Sequence, residues 1–177
     1  MDHAYARDAA MSALILGFFA SSWFRWAQER PPNGWRRPLA VAAVTSVVVA
    51  ASGGLLAWQS WSAGSALSGD GAMRAYGVMV GVEFALAAVG AVLLVWRGQS
   101  RYLAPFICFV VGVHFWPMAP LLEEPGLYLL GGVLVAVAAG AVLLSRRTSI
   151  LPSALTGAGA GTVLFLFALR GAISAVL

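Results

Sequence analysis

An all-α integral membrane protein, with six transmembrane helices paired as three antiparallel hairpins, is the fold class predicted by three observations. The chain of 177 residues is 60% hydrophobic and 10% charged, against roughly 45–50% and about 25% in soluble domains. Its apolar residues fall into six stretches of membrane-spanning length. Its arginines collect in alternate connections between those stretches. The whole chain, 1–177, reads as one transmembrane domain.

A hydrocarbon core of about 30 Å is crossed by roughly 20 helical residues. The first such stretch is 9–26. The second, 38–58, opens on Pro38, whose missing N–H is harmless in a first helical turn. The third, 75–96, closes at Trp96 before Arg97-Gly98, and the fourth, 102–122, stops ahead of Glu123-Glu124. The fifth is 127–145, bounded by Arg146-Arg147, and the sixth is 151–170.

The loop between spans one and two carries Arg25, Arg30, Arg36 and Arg37, the third–fourth loop Arg97 and Arg101, and the fifth–sixth loop Arg146 and Arg147. The other side has Arg7, Arg74 and Arg170. Eight arginines against three place the odd–even loops in the cytoplasm and both termini outside a plasma (inner) membrane. The acids follow the same division independently of the arginines: Glu29 falls inside, and Asp2, Asp8, Asp70, Glu123 and Glu124 fall outside. Tryptophans mark helix ends on both sides: Trp23, Trp26, Trp35 and Trp96 inside, Trp58, Trp61 and Trp116 outside. The segment before span one lacks a basic n-region, and Ala20-Ser21-Ser22 is a poor cleavage site, so this span is expected to stay as an uncleaved helix. No lipidation motif is present.

The second and third hairpins look related at an offset of fifty residues, with Gly90-Ala91-Val92-Leu93-Leu94 repeated as Gly140-Ala141-Val142-Leu143-Leu144. Both copies would share one orientation, a parallel repeat about an axis along the membrane normal. Small residues stripe three helices: Gly77, Gly81 and Ala85 on the third, Gly132, Ala136 and Gly140 on the fifth, and Ala154, Gly157, Ala158 and Gly161 on the sixth. In lipid such stripes let backbones approach closely. They serve packing within the bundle, or contact with a second copy or another membrane protein.

Two ionisable side chains lie deep in the spans, Glu83 in the third and His114 in the fourth. Each is about eight residues, or ~12 Å, from the outer end of its helix. Because the two helices form one antiparallel hairpin, the side chains are expected at the same height in the outer leaflet. Intramembrane ionisable groups are costly, which makes them functional candidates. Three residues beyond His114, Pro117 removes a hydrogen bond to the Val113 carbonyl and predicts a kink. Above them, Arg74, Glu123, Glu124 and Arg170 outline a polar outer vestibule. A Glu–His pair can lock two helices, carry a proton or cation, or bind a ligand or metal. Arg74 and Arg170, near helix ends, can instead snorkel to headgroups.

Several chemistries are excluded. All eleven basic residues are arginine, so no lysine Schiff base can form, and a single cysteine, Cys108, allows no internal disulfide and no CxxC pair. No His-Glu-x-x-His motif occurs. Glu123-Glu124 begins an EExxxR pattern whose arginine is missing, and Ala66-Leu67-Ser68-Gly69 lacks the first glycine of a rhomboid serine motif. His3 and His114 are the two histidines; together with Glu83 and the outer acids they could make a mixed N/O metal site. No catalytic residue and no cofactor is predicted. The expected associates are the lipid bilayer and, through the stripes, a homo-oligomer or membrane-protein partner; nucleic acid is not among them. The expected function is handling of a small solute or ion, with proton-coupled movement as its leading form. The alternatives are a non-catalytic membrane subunit or scaffold, and a lipid- or metal-handling membrane enzyme.

Overall fold

The computed structural model describes residues 5–177. They form six α-helices and, among the described residues, no strand: α1 (Ala6–Trp26), α2 (Arg36–Gln59), α3 (Ala72–Trp96), α4 (Leu103–Leu121), α5 (Gly126–Ser145) and α6 (Pro152–Ser174). Short 3-10 turns at Ala66–Ser68 and Ser100–Tyr102 lead into α3 and α4. The expected spans all appear as helices, the first three beginning two or three residues earlier and the others within one residue of the expected start, and α6 runs four residues past Arg170. Five of the six, α2 to α6, are long and apolar enough to cross a membrane. The fold is that of a multi-pass helical membrane protein.

α1 is the exception. It packs along α2 and α6 and buries nine of its residues, among them Ala13, Leu16, Ala20 and Phe24. Its charges, Arg7, Asp8 and Arg25, lie in its first and last turns, and its buried side is small-residue surface that packs closely on those two helices. α3 is the opposite case: it has no buried residue, packs chiefly on α4, and turns Val78, Val82, Leu86, Val89 and Val92 outward. Such an apolar surface suits hydrocarbon and would be a liability in water.

Glycines set the tight seams. A Cβ on Gly53 of α2 would stand 2.6 Å from the Leu14 nitrogen of α1, and one on Gly157 of α6 would stand 2.6 Å from the Trp23 carbonyl oxygen. Gly112 of α4 and Gly131 of α5 meet backbone to backbone. The stripe on α6 therefore packs inside the bundle. Gly77 and Gly81 on α3 and Gly132 and Gly140 on α5 face no neighbouring atom within 4 Å. Positions fifty residues apart, expected to correspond, pack differently: Gly81 is open where Gly131 is enclosed, and Gly90 meets Phe106 where Gly140 meets nothing.

α4 runs uninterrupted through Pro117 and Pro120. Its C-terminus closes with a left-handed residue, Glu123 at φ 52°. The Glu124 N–H donates to the Ala119 carbonyl at 3.0 Å, the wider of the two bonds that satisfy a helix C-terminus in this way. Gly98 closes α3 by the same device, with the Gln99 N–H on the Leu94 carbonyl at 2.7 Å. At α4 the turn has a consequence for the site, because it sends Glu123 out to the surface and Glu124 inward, where it is 6% exposed.

Successive through-going helices give the bundle two unlike ends. One holds Arg7, Asp8, Asp70, Arg74, Glu123, Glu124 and Arg170, and the other the remaining eight arginines with Glu29. We call them the acidic end and the arginine end.

Candidate functional site

α3 presents one face to the protein. Its less exposed residues recur at Ala72, Tyr76, Val80, Glu83, Ala87 and Ala91, the spacing of a single helical stripe. Glu83 is therefore turned toward α4 rather than lipid. His114 meets it there, with Nε2 3.4 Å from the Glu83 carboxylate oxygen Oε2. Their side chains are 9% (His114) and 17% (Glu83) exposed. The equal-depth arithmetic thus names two residues that touch. The imidazole also stands edge-on to Phe115, with ring centres 5.9 Å apart.

The pair is not sealed between its helices. It lies on the wall of a cavity of about 580 Å3 between α1, α3 and α4, with Leu127 and Leu164 of α5 and α6 contributing to its wall. α1 lines it from Arg7 to Trp26, close to 30 Å of helix at ~1.5 Å per residue. Toward the acidic end the walls are mixed, with Arg7, Asp8, Ser12, Ser65, Tyr76 and Glu124 set among Met11, Leu67, Met73, Met118 and Leu122. Toward the arginine end they are Phe19, Trp23, Trp26, Phe84, Ile107 and Val111, with Ser22 as the polar exception. Glu83 and His114 stand between the two regions.

The mouth is built by specific contacts. The Asp8 carboxylate accepts from the Ala66 N–H at 2.7 Å. The Arg7 guanidinium lies 4.0 Å from the centre of the Trp61 ring and donates to the Trp61 carbonyl at 3.4 Å. The first turn of α1 thereby holds the α2–α3 connection, residues 60–71, across the end of the cavity. Opposite, Glu124 accepts from Arg170 at 3.1 Å and from the Gly126 N–H at 3.0 Å.

Of the expected vestibule, Glu124 lines the cavity and Arg170 supports it from behind. Arg74 and Glu123 are exposed and are not part of its wall. Arg7, Asp8, Trp61 and Tyr76 were not anticipated. Tyr76 had a usable signal, since it lies seven residues before Glu83 on the same helical face. Arg7 and Asp8 had none, because a charge at a helix end reads first as a topology marker. Among the described residues, no three His, Cys, Asp or Glu side chains are grouped to hold a metal ion. Asp2 and His3 lie outside the described residues. Comparison with protein-family models, curated proteins and solved structures finds no match, so geometry alone carries the functional reading.

The contact between Asp8 and Ala66 allows a direct check. A hydrogen bond to a charged group contributes about 1.5–3 kcal/mol. Asp8→Ala is therefore expected to speed amide exchange at Ala66 by about tenfold or more, while exchange in the middle of α6 stays unchanged. Equal protection at Ala66 in both proteins would show that Asp8 does not hold the connection.

Proposed function

We propose that this is a six-span plasma-membrane protein, with the acidic end and both termini outside, that takes a small lipophilic solute into the cavity and couples its handling to a proton. The carrying observation is the Glu83–His114 contact on a cavity wall. A pair used only to lock two helices needs no cavity beside it, whereas a binding site does.

The chemistry of the walls narrows the solute. A hydrated ion needs a continuous polar lining to replace its water, because stripping a charge into apolar surroundings is very costly. Below Glu83 the cavity is lined mostly by aromatic and aliphatic side chains. A molecule with an apolar body and one polar or ionisable group fits both halves. The volume lies in the roughly 300–1,000 Å3 range typical of sites for such molecules. The acid and imidazole in contact can hold one proton between them, and that proton is what the site can exchange.

The test is proton movement. Protein reconstituted into vesicles holding a pH-sensitive dye is expected to dissipate an imposed pH gradient several-fold faster than Glu83→Gln, His114→Ala or protein-free vesicles. Identical traces for all four would overturn the reading and leave the pair as an interhelical lock. The exposed glycine face of α3 would then favour the second reading, a non-catalytic subunit that docks another membrane helix there.

A further inference from the structure

The cavity does more than admit a lipophilic solute; its charges specify the sign. We infer that the ligand is a hydrophobic organic cation, which binds the Glu83 carboxylate and displaces the proton held by the Glu83–His114 pair. This rests on the proposed function above and assigns its substrate class.

The ionisable groups that line the cavity are Arg7 and Asp8 on α1, Tyr76 and Glu83 on α3, His114 on α4, and Glu124 in the α4–α5 turn; the α2–α3 connection, α5 and α6 contribute none. At the mouth Arg7 and Asp8 are engaged by the α2–α3 connection, Arg7 on the Trp61 carbonyl and Asp8 by the Ala66 N–H, and Glu124 is paired with Arg170 of α6. In the deeper part the charged neighbour of Glu83 is the titratable imidazole of His114 rather than an arginine. When the proton leaves, the deep site carries one negative charge in a water-poor surrounding. A monovalent cation restores neutrality, and an anion doubles the imbalance.

The walls carry the same preference. Phe84 on α3, Phe115 on α4 and Phe19 on α1 place aromatic rings around the deeper region. Ring faces attract a cation within about 6 Å of their centroids, most strongly where water is excluded. An organic cation with aryl or alkyl substituents uses both features, with its charge at Glu83 and its apolar body against the rings. The exchange balances: the neutral pair and the cation give a carboxylate–cation pair, neutral imidazole and one released proton.

Two ions of nearly equal size and shape separate charge from hydrophobicity, tetraphenylphosphonium and tetraphenylborate. Binding to the purified full-length protein in mild detergent is read by tryptophan fluorescence, and proton release by a dye in weak buffer. Tetraphenylphosphonium is expected to bind in preference to tetraphenylborate and to release about one proton per ligand. Glu83→Gln should weaken its binding by about tenfold to a hundredfold, the worth of one charge-assisted contact, and abolish the release, while Glu83→Asp retains part of both. Equal or tighter binding of tetraphenylborate overturns the assignment, as does phosphonium binding that is indifferent to Glu83→Gln. The comparison of the two ions on the wild-type protein needs no variant to fold. Should neither ion bind while the pH-gradient assay still separates wild type from Glu83→Gln, the cation assignment fails and the proton-linked reading stands. With both assays flat, both fall.

Discussion

Replacing Gly157 with leucine is expected to destabilise the bundle by about 3 kcal/mol or more, at the upper limit of what overpacking usually costs. The reason is what surrounds the position. A Cβ there would lie 2.6 Å from the Trp23 carbonyl oxygen and 2.7 Å from the Ala27 nitrogen. These are backbone atoms of α1 and of the residue that caps it, which cannot rotate aside as a side chain would. Relief requires α1 and α6 to separate, and α1 is also the long wall of the cavity, so the site should loosen together with the fold. Gly81→Leu on α3 is the control, since no atom lies within 4 Å of a Cβ at that position. It is expected to stay within about 0.5 kcal/mol of wild type, as exposed substitutions usually do, and leucine's better helix propensity acts in its favour. Thermal unfolding in detergent, followed by circular dichroism, compares the two. Equal unfolding midpoints for both variants would mean that the α1–α6 seam does not limit stability.

This contrast between glycines marks where the sequence stops being informative. Spans were legible because lipid demands about twenty apolar residues in a row, and arginines punctuate them. The meeting of Glu83 with His114 was legible because two helices joined by a short turn are antiparallel, so residues equally far from the outer ends share a height. Lateral order was not. In water a helix declares its buried face by being apolar there, but in lipid both faces are apolar, so the stripes on α3, α5 and α6 look alike. The packing of α1 between α2 and α6 joins residues far apart in the chain, such as Ala9 with Gly171, and no local pattern announces it. The cavity is a product of that order: α1 and α3 stand on opposite sides of a space that neither fills. Arg170 illustrates the same limit. Near a helix end it reads as an anchor to headgroups, and only the inward turn at Glu123 puts Glu124 beside it.

That last contact leads to the second large effect. Glu124 and Arg170 approach to 3.1 Å with side chains 8% and 32% exposed, so losing one member is not equivalent to losing the other. Arg170→Met removes the guanidinium from a buried carboxylate, and losing a hydrogen bond to a charged group costs about 1.5–3 kcal/mol. Glu124→Gln leaves a side chain still able to accept from Gly126, and a partly exposed arginine that can extend its head toward the interface. Its cost is expected near 1 kcal/mol, the scale of an ordinary hydrogen bond. The double variant should therefore be more stable than Arg170→Met alone, because no buried carboxylate remains. Unfolding of the three variants in one detergent forms a cycle that isolates the coupling. Costs that simply add would show that the pair is held by its surroundings rather than by each other. Because Glu124 also lines the cavity, the same cycle, read by ligand binding, should show the mouth losing its shape in Arg170→Met and keeping it in Glu124→Gln.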